Sequence, residues 1–255
     1  MRKIFYLLSF IALCTFFLSC DKDSYTPSPD KLLPSKMIHD GDWGHAETLF
    51  YYDNQNRLIR TEQKGLGEAR STNVFTYNES GELSSIQITS DTYDDREITF
   101  SRQGNTITAV TSTETRTITL NDSGLPVKSI SVREEDGYTE TIKYEFDSRG
   151  NIVRYTVEAP GSVNDGSVMT CKYDKRNGVY RHVNIPAWYK CLYLQGSTNN
   201  KTGSWDSDTT YAPEITITYN EKDYPVRIAT VVPGWADADG VNTFEYIPAI
   251  ETAEE

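Results

Sequence analysis

Between Tyr52 and Asp223 the chain repeats one short pattern seven times, and that repetition limits the fold more than any other feature. Each copy has an aromatic or apolar residue, then Asp, Asn or Ser, two polar residues, and Gly, Asn or Asp, usually followed by a return to apolar character. The copies begin at Tyr52-Asp53, Tyr77-Asn78, Phe100-Ser101, Leu120-Asn121, Phe146-Asp147, Tyr173-Asp174 and Tyr219-Asn220. An Asp or Asn at the head of a turn accepts hydrogen bonds from the backbone ahead of it, and the position three residues on suits a left-handed backbone. Asn56, Gly81, Gly104, Gly124, Gly150, Asn177 and Asp223 hold that position. The pattern is that of a type I turn followed by a bulge, which closes a β-hairpin.

The flanks support this. Ile142, Tyr144 and Phe146 alternate with Lys143 and Glu145, and Ile215, Ile217 and Tyr219 alternate with Thr216 and Thr218. Alternation of period two makes strands with one buried face and one wet face. The turn heads at 53, 78, 101, 121, 147, 174 and 220 are 25, 23, 20, 26, 27 and 46 residues apart. A spacing near 25 fits two strands and two connections, so the sequence predicts an all-β, antiparallel up-and-down meander of about 14–16 strands. A meander that long has to curl to cover its edges and its dry face, so we expect a barrel or a strongly curved half-barrel. The longest gap is expected to hide a degenerate copy near Gln195-Gly196, and no segment reads as an amphipathic helix. The repeated turns fall at one end. The connections read as variable, Lys64–Arg70, Ser90–Asp95, Arg133–Tyr138, Glu158–Ser167, Pro186–Trp188 and Pro233–Val241, are placed at the other end, where binding residues tend to gather.

The first residues address the chain. Arg2 and Lys3 precede an apolar run from Ile4 to Leu18, the charged and hydrophobic regions of a secretory signal, too short to span a bilayer comfortably. Leu18-Ser19-Cys20 resembles a lipobox, in which cleavage before a cysteine leaves its thiol to carry the lipid. The expected organisation is a signal peptide over 1–19, lipidated Cys20 with a flexible tether over 20–36, one β domain over 37–250, and an acidic tail over 251–255. The expected address is a membrane of the cell envelope, the outer membrane or cell surface before the inner. The net charge is −12, and losing Arg2 and Lys3 makes it −14, which argues against nucleic acid as a partner. With Cys14 in the signal and Cys20 lipidated, Cys171 and Cys191 are left either to pair in an oxidising compartment or to pack as small hydrophobes.

The copies at Tyr52–Leu58 and Phe146–Ile152 are similar to the YD repeat of Rhs-type and teneurin-like shells. Arg57 follows Asn56 rather than Gly, and the other copies lack that arginine. Lipobox, tether and degenerate meander together resemble a family of envelope lipoproteins with a porin-like β fold. The resemblance implies a barrel and no catalytic residues.

Chemistry-bearing clusters are sparse. His39-Asp40-Gly41-Asp42-Trp43-Gly44-His45 offers metal-ligand types at no recognised spacing and reads as a solvated loop before the first strand. Asp91–Glu97 and Asp237–Gly240 lack the twelfth-position Glu of an EF-hand. No G-x-S-x-G is present, and His182 has no catalytic context. The sequence therefore predicts no enzyme, no metal and no cofactor. A spanning barrel is disfavoured because an anchor would be redundant, apolar positions are few per strand, and the C-terminus lacks an aromatic. Trp188, Trp205 and Trp235 lie in loop-like stretches where a ring could stack on a sugar. The expected function is a non-catalytic binding module that uses its variable loops to contact a glycan or an envelope protein. The alternative is a carrier with an apolar ligand inside the barrel.

Overall fold

The computed structural model describes residues 30–41, 44–65, 69–194, 196–206, 212–234 and 240–251. The first eight strands are β1 (Leu32–Gly41), β2 (Gly44–Tyr52), β3 (Leu58–Lys64), β4 (Arg70–Tyr77), β5 (Leu83–Ser90), β6 (Arg96–Gln103), β7 (Thr106–Val110) and β8 (Glu114–Leu120). Then follow β9 (Pro126–Arg133), β10 (Thr139–Phe146), β11 (Ile152–Glu158), β12 (Val168–Tyr173), helix α1 (Ala187–Tyr193), β13 (Lys201–Asp206), β14 (Glu214–Tyr219), β15 (Pro225–Val231) and β16 (Gly240–Pro248). All sixteen strands form one antiparallel sheet in which sequence neighbours pair and β1 joins β16. The sheet ends on β13 and β14, leaving a nearly closed barrel.

The turn chemistry is as expected at five copies. At Asn121 the side-chain Oδ1 accepts from the N–H groups of Ser123 and Leu125, both at 3.0 Å. The Gly124 N–H donates to the Asn121 carbonyl, and the Asn121 N–H donates to the Leu125 carbonyl, both at 2.9 Å. Asp53, Asp147 and Asn220 build the same set, and Asn78 builds most of it. The left-handed residues are Asn56, Gly81, Gly124, Gly150 and Asp223, with φ of 60°, 77°, 74°, 86° and 63°. Each of these hairpins shifts register by one residue beside the turn, as a bulge requires.

Two copies depart from the pattern. Ser101 lies within β6, and Gln103 pairs with Thr106, so Gly104-Asn105 is a two-residue hairpin loop; Gly104 keeps a positive φ of 58°. Asn177 is not left-handed but fully buried. The Asp174 turn holds an insertion. Its Oδ1 accepts from Arg176 N–H as usual, but the second N–H and the carbonyl that receives the Asp174 N–H both belong to Asn200, at 3.0 Å. Residues 178–199 are threaded into a turn that still closes. This explains the long gap without a further repeat near Gly196, and it supplies the helix that periodicity did not reveal.

The insertion plugs the barrel. Trp188 and Tyr189 of α1 pack with Val183 and Ile185 against Leu33, Phe50, Leu58, Phe75, Leu83, Phe100, Ile107, Ile118 and Leu120 of the wall. Phe75 meets Tyr189 edge-on at 5.8 Å, and Phe100 lies 5.2 Å from Trp188. Polar ties fix the rim. Asn151 and Asn199 exchange hydrogen bonds at 3.0 Å, Asn199 reaches the Arg176 carbonyl at 2.7 Å, and Asn184 donates to the Gln55 carbonyl at 3.0 Å on the far side.

The alternation resolves into a dry inside and a wet outside. Thr48 and Phe50 in β2, Leu83 and Ile86 in β5, and Ile118 and Leu120 in β8 are buried facing inward. The outer face of the same wall carries ion pairs such as Lys36–Glu47 at 2.7 Å and Arg154–Glu145 at 2.9 Å, and threonines such as Thr108 opposite Thr117. A membrane-spanning barrel has the reverse polarity.

The folded part begins earlier than a tether over 20–36 would allow. β1 starts at Leu32 because Leu32 and Leu33 are buried, and Pro34 fits beside a register break where its missing N–H is tolerated. The His39–His45 segment is the β1–β2 hairpin rather than a loop preceding the sheet, although Asp42 and Trp43 lie outside the described residues.

Candidate functional site

Of the three tryptophans, the two among the described residues, Trp188 and Trp205, do not converge. Trp188 is 4% exposed in the plug at the turn end, so Pro186–Trp188 is not a connection at the opposite mouth and the Trp188 ring is not presented to solvent. The correction follows from the insertion, which hangs from a turn and folds back into the barrel. Trp205 sits on the outer wall in β13, with Lys172 Nζ 4.8 Å from its ring centre. Trp235, in the β15–β16 connection, lies outside the described residues, as do Cys20 and Gln195.

Cys171 on the wall and Cys191 on the plug are free thiols, so the structure makes no bridge between them. Both act on the Tyr173 phenol, which shares hydrogen bonds with Cys171 and Ser197. Burial pushes the Cys191 thiol up to about 11, which removes the thiolate that nucleophilic chemistry needs. No group of three or more His, Cys, Asp or Glu among the described residues is arranged to hold a metal. His39 Nδ1 is instead 2.9 Å from Asn242 Oδ1, and His45 meets Asp40 at 2.7 Å.

The two ends of the barrel differ in charge. Among the described residues, the connections at the loop end hold seven carboxylates, Asp91, Asp94, Asp95, Glu134, Glu135, Asp136 and Asp165, and no lysine or arginine. At the turn end Arg57, Arg149, Lys175, Arg176, Arg181, Lys190 and Lys222 nearly balance the acids. Above the plug, facing the loop end, Arg116 donates to Ser131 Oγ at 2.8 Å and pairs with Glu114 at 3.1 Å, its guanidinium 5.7 Å from the Tyr193 ring. Ser129 and Tyr144 share a hydrogen bond of 3.1 Å beside it. The inner chamber is therefore polar where the plug ends.

Two clefts flank the start of α1 at the turn end. One, of about 560 Å³, lies between residues 184–188 and the turns from β2 to β9, and the other, of about 540 Å³, lies between α1 and the β8–β9 and β10–β11 turns. Lys190 lines the second. Burial holds its ammonium down to about 8, and it donates to the Arg181 carbonyl at 3.1 Å. His182, nearby in the insertion, is pushed down to about 4, first by burial and then by Arg181, Lys190 and Lys31. Sequence reasoning missed both clefts, because they exist only once residues 178–199 are folded against the turns. The one signal was the 46-residue gap carrying Tyr180, Trp188, Tyr189 and Tyr193.

No protein-family model and no curated protein matches the chain. Among solved structures, the chain is similar to a porin-like protein from Bacteroides uniformis, with 15% identity over 88% of this chain and 98% of that one at a TM-score of 0.42. It is similar to another porin-like protein from Bacteroides vulgatus, with 13% identity over 86% and 100% at 0.43. A more distant likeness, at 14% identity and a TM-score of 0.32, is to the TcdB2-TccC3-Cdc42 complex, of which the chain covers 10%.

Proposed function

We propose that the protein is an envelope lipoprotein, anchored through Cys20, that holds its acidic loop end away from the membrane and docks an envelope protein with a basic surface there. The observation that carries this reading is where the chain enters the barrel. Asp30 accepts from the Tyr224 hydroxyl at 2.8 Å and pairs with Lys222 at 3.1 Å, both at the plugged turn end. However they run, the residues from Cys20 to Asp30 span at most about 35 Å, so an anchor at Cys20 keeps that end near the bilayer. The wall, polar outside, stands in water above it. Opposite charges at a mouth steer association and select partners by sign. Trp235, in a connection at this mouth, is the aromatic contact we assign to the docking surface; Trp205, on the outer wall, lies to one side of it. The carrier alternative has less support, because the apolar part of the interior is filled by the plug's own rings.

A photo-reactive amino acid placed at Glu135 in the native cell tests the docking reading. We expect a discrete cross-linked product that disappears when Glu134 and Asp136 are changed to lysine, and none from a probe at Asp122 on the turn end. Adducts from Asp122 alone would overturn it.

A further inference from the structure

We propose that the larger turn-end cleft binds a neutral saccharide unit, independently of the loop mouth. The cleft, about 560 Å³, is of the size small ligands occupy. Its floor is apolar, formed by Phe100, Leu83 and Trp188. Its rim is polar, formed by Gln55, Arg57, Glu82, Arg102, Ser123 and Asn184. A pyranose has the matching shape, with C–H faces and a girdle of hydroxyls.

The charge pattern selects a neutral ligand. Arg57 is paired with Asp53 at 2.7 Å and Arg102 with Glu82 at 3.1 Å, so an ionic ligand would have to compete with a partner already in place. Hydroxyls need no such exchange, because one can donate to the Glu82 carboxylate while its neighbour accepts from the Arg102 guanidinium. The Gln55 amide and the Ser123 hydroxyl make no hydrogen bond within the described chain, so both are free to meet further hydroxyls.

The cup is also built before any ligand arrives. Asp53, Asn78 and Asn121 clamp the turns from within, and Asn184 ties the plug to Gln55 at 3.0 Å. Such preorganisation lowers the ordering cost of binding.

Saturation-transfer difference NMR on the purified protein tests this, with glucose, galactose, mannose, N-acetylglucosamine and their 1,4-linked disaccharides at millimolar concentration as probes. We expect at least one to bind saturably, Arg102→Ala to weaken it about tenfold, and Ser123→Trp to abolish it by filling the cleft. Glu134→Lys at the loop mouth is expected to leave it unchanged, and circular dichroism checks that each variant folds. No saturable transfer from any probe, unchanged binding in both cleft variants, or displacement of the sugar by inorganic phosphate would each overturn the proposal.

Discussion

Gly81 has a φ of 77°, and an added Cβ would meet nothing within 4 Å, so any cost of substituting it is conformational. We predict that Gly81→Ala lowers unfolding stability by about 1 kcal/mol in denaturant titrations, with no change in spectroscopic signature. The amide pair in the plug rim is a different case. Asn151 and Asn199 are buried and answer each other's hydrogen bonds, so removing one strands the other. Asn199→Ala is expected to cost about 2 kcal/mol, with strong non-additivity in a double-mutant cycle with Asn151→Ala. His182 sets a pH dependence. Its folded pKa, about 4, lies below the ordinary 6.5, so the unfolded chain binds the extra proton between those values. Its stabilisation is full above pH 6.5 and is lost as pH falls through the window toward 4. The denaturation midpoint should fall over that range, and His182→Gln should flatten the fall. The turn residues such as Asn78 and Gly81 were legible in the sequence because an Asx head and a left-handed residue three positions on answer local backbone needs. Asn177 and Asn200 were not, because Asn200 meets Asp174 and Asn177 from across the insertion and Asn177 bonds to Lys222 and Asp223 of the β14–β15 turn.

At the scale of elements, the plug is the part that carries most of the enclosed apolar packing at the turn end. In denaturant titrations Trp188→Ala is predicted to cost about 3–5 kcal/mol, whereas Trp205→Ala, on the outer face, should stay within about 1 kcal/mol. Deleting 178–199 joins Asn177 to Asn200 and restores a turn of ordinary length. We expect the shortened chain to keep its β circular dichroism but to bind a hydrophobic dye and melt early, because Phe75, Phe100 and Ile118 lose their cover. The strands were readable from their period of two, and their number from the spacing of turns. The plug was not. Its helix is a short one whose apolar residues, Trp188, Tyr189, Leu192 and Tyr193, become a face only when a barrel surrounds them. The solvent-facing placement of Trp188 was misread for the same reason, since loop-like composition around Pro186 does not say whether the loop faces water or folds inward.

Over the whole molecule, one principle sets the fold: the strands turn their large buried apolar residues, such as Phe50, Phe75, Phe100 and Ile118, inward, and the insertion fills the turn end of the space they enclose. The outer wall, with Thr108 and Thr117 opposite one another and ion pairs such as Lys36–Glu47 and Arg154–Glu145, is built for water. An envelope protein with such a wall reaches a membrane only through an added anchor, for which Cys20 is the group we propose. Metabolic labelling with a tagged fatty acid should therefore mark the wild-type chain and not Cys20→Ser. The most direct measurement is to export the chain from Asp21 onward behind an ordinary cleavable signal and to fractionate the cells without detergent. The inside-out polarity predicts a folded, β-rich protein in the aqueous fraction. Recovery only from membranes, and only with detergent, would contradict it.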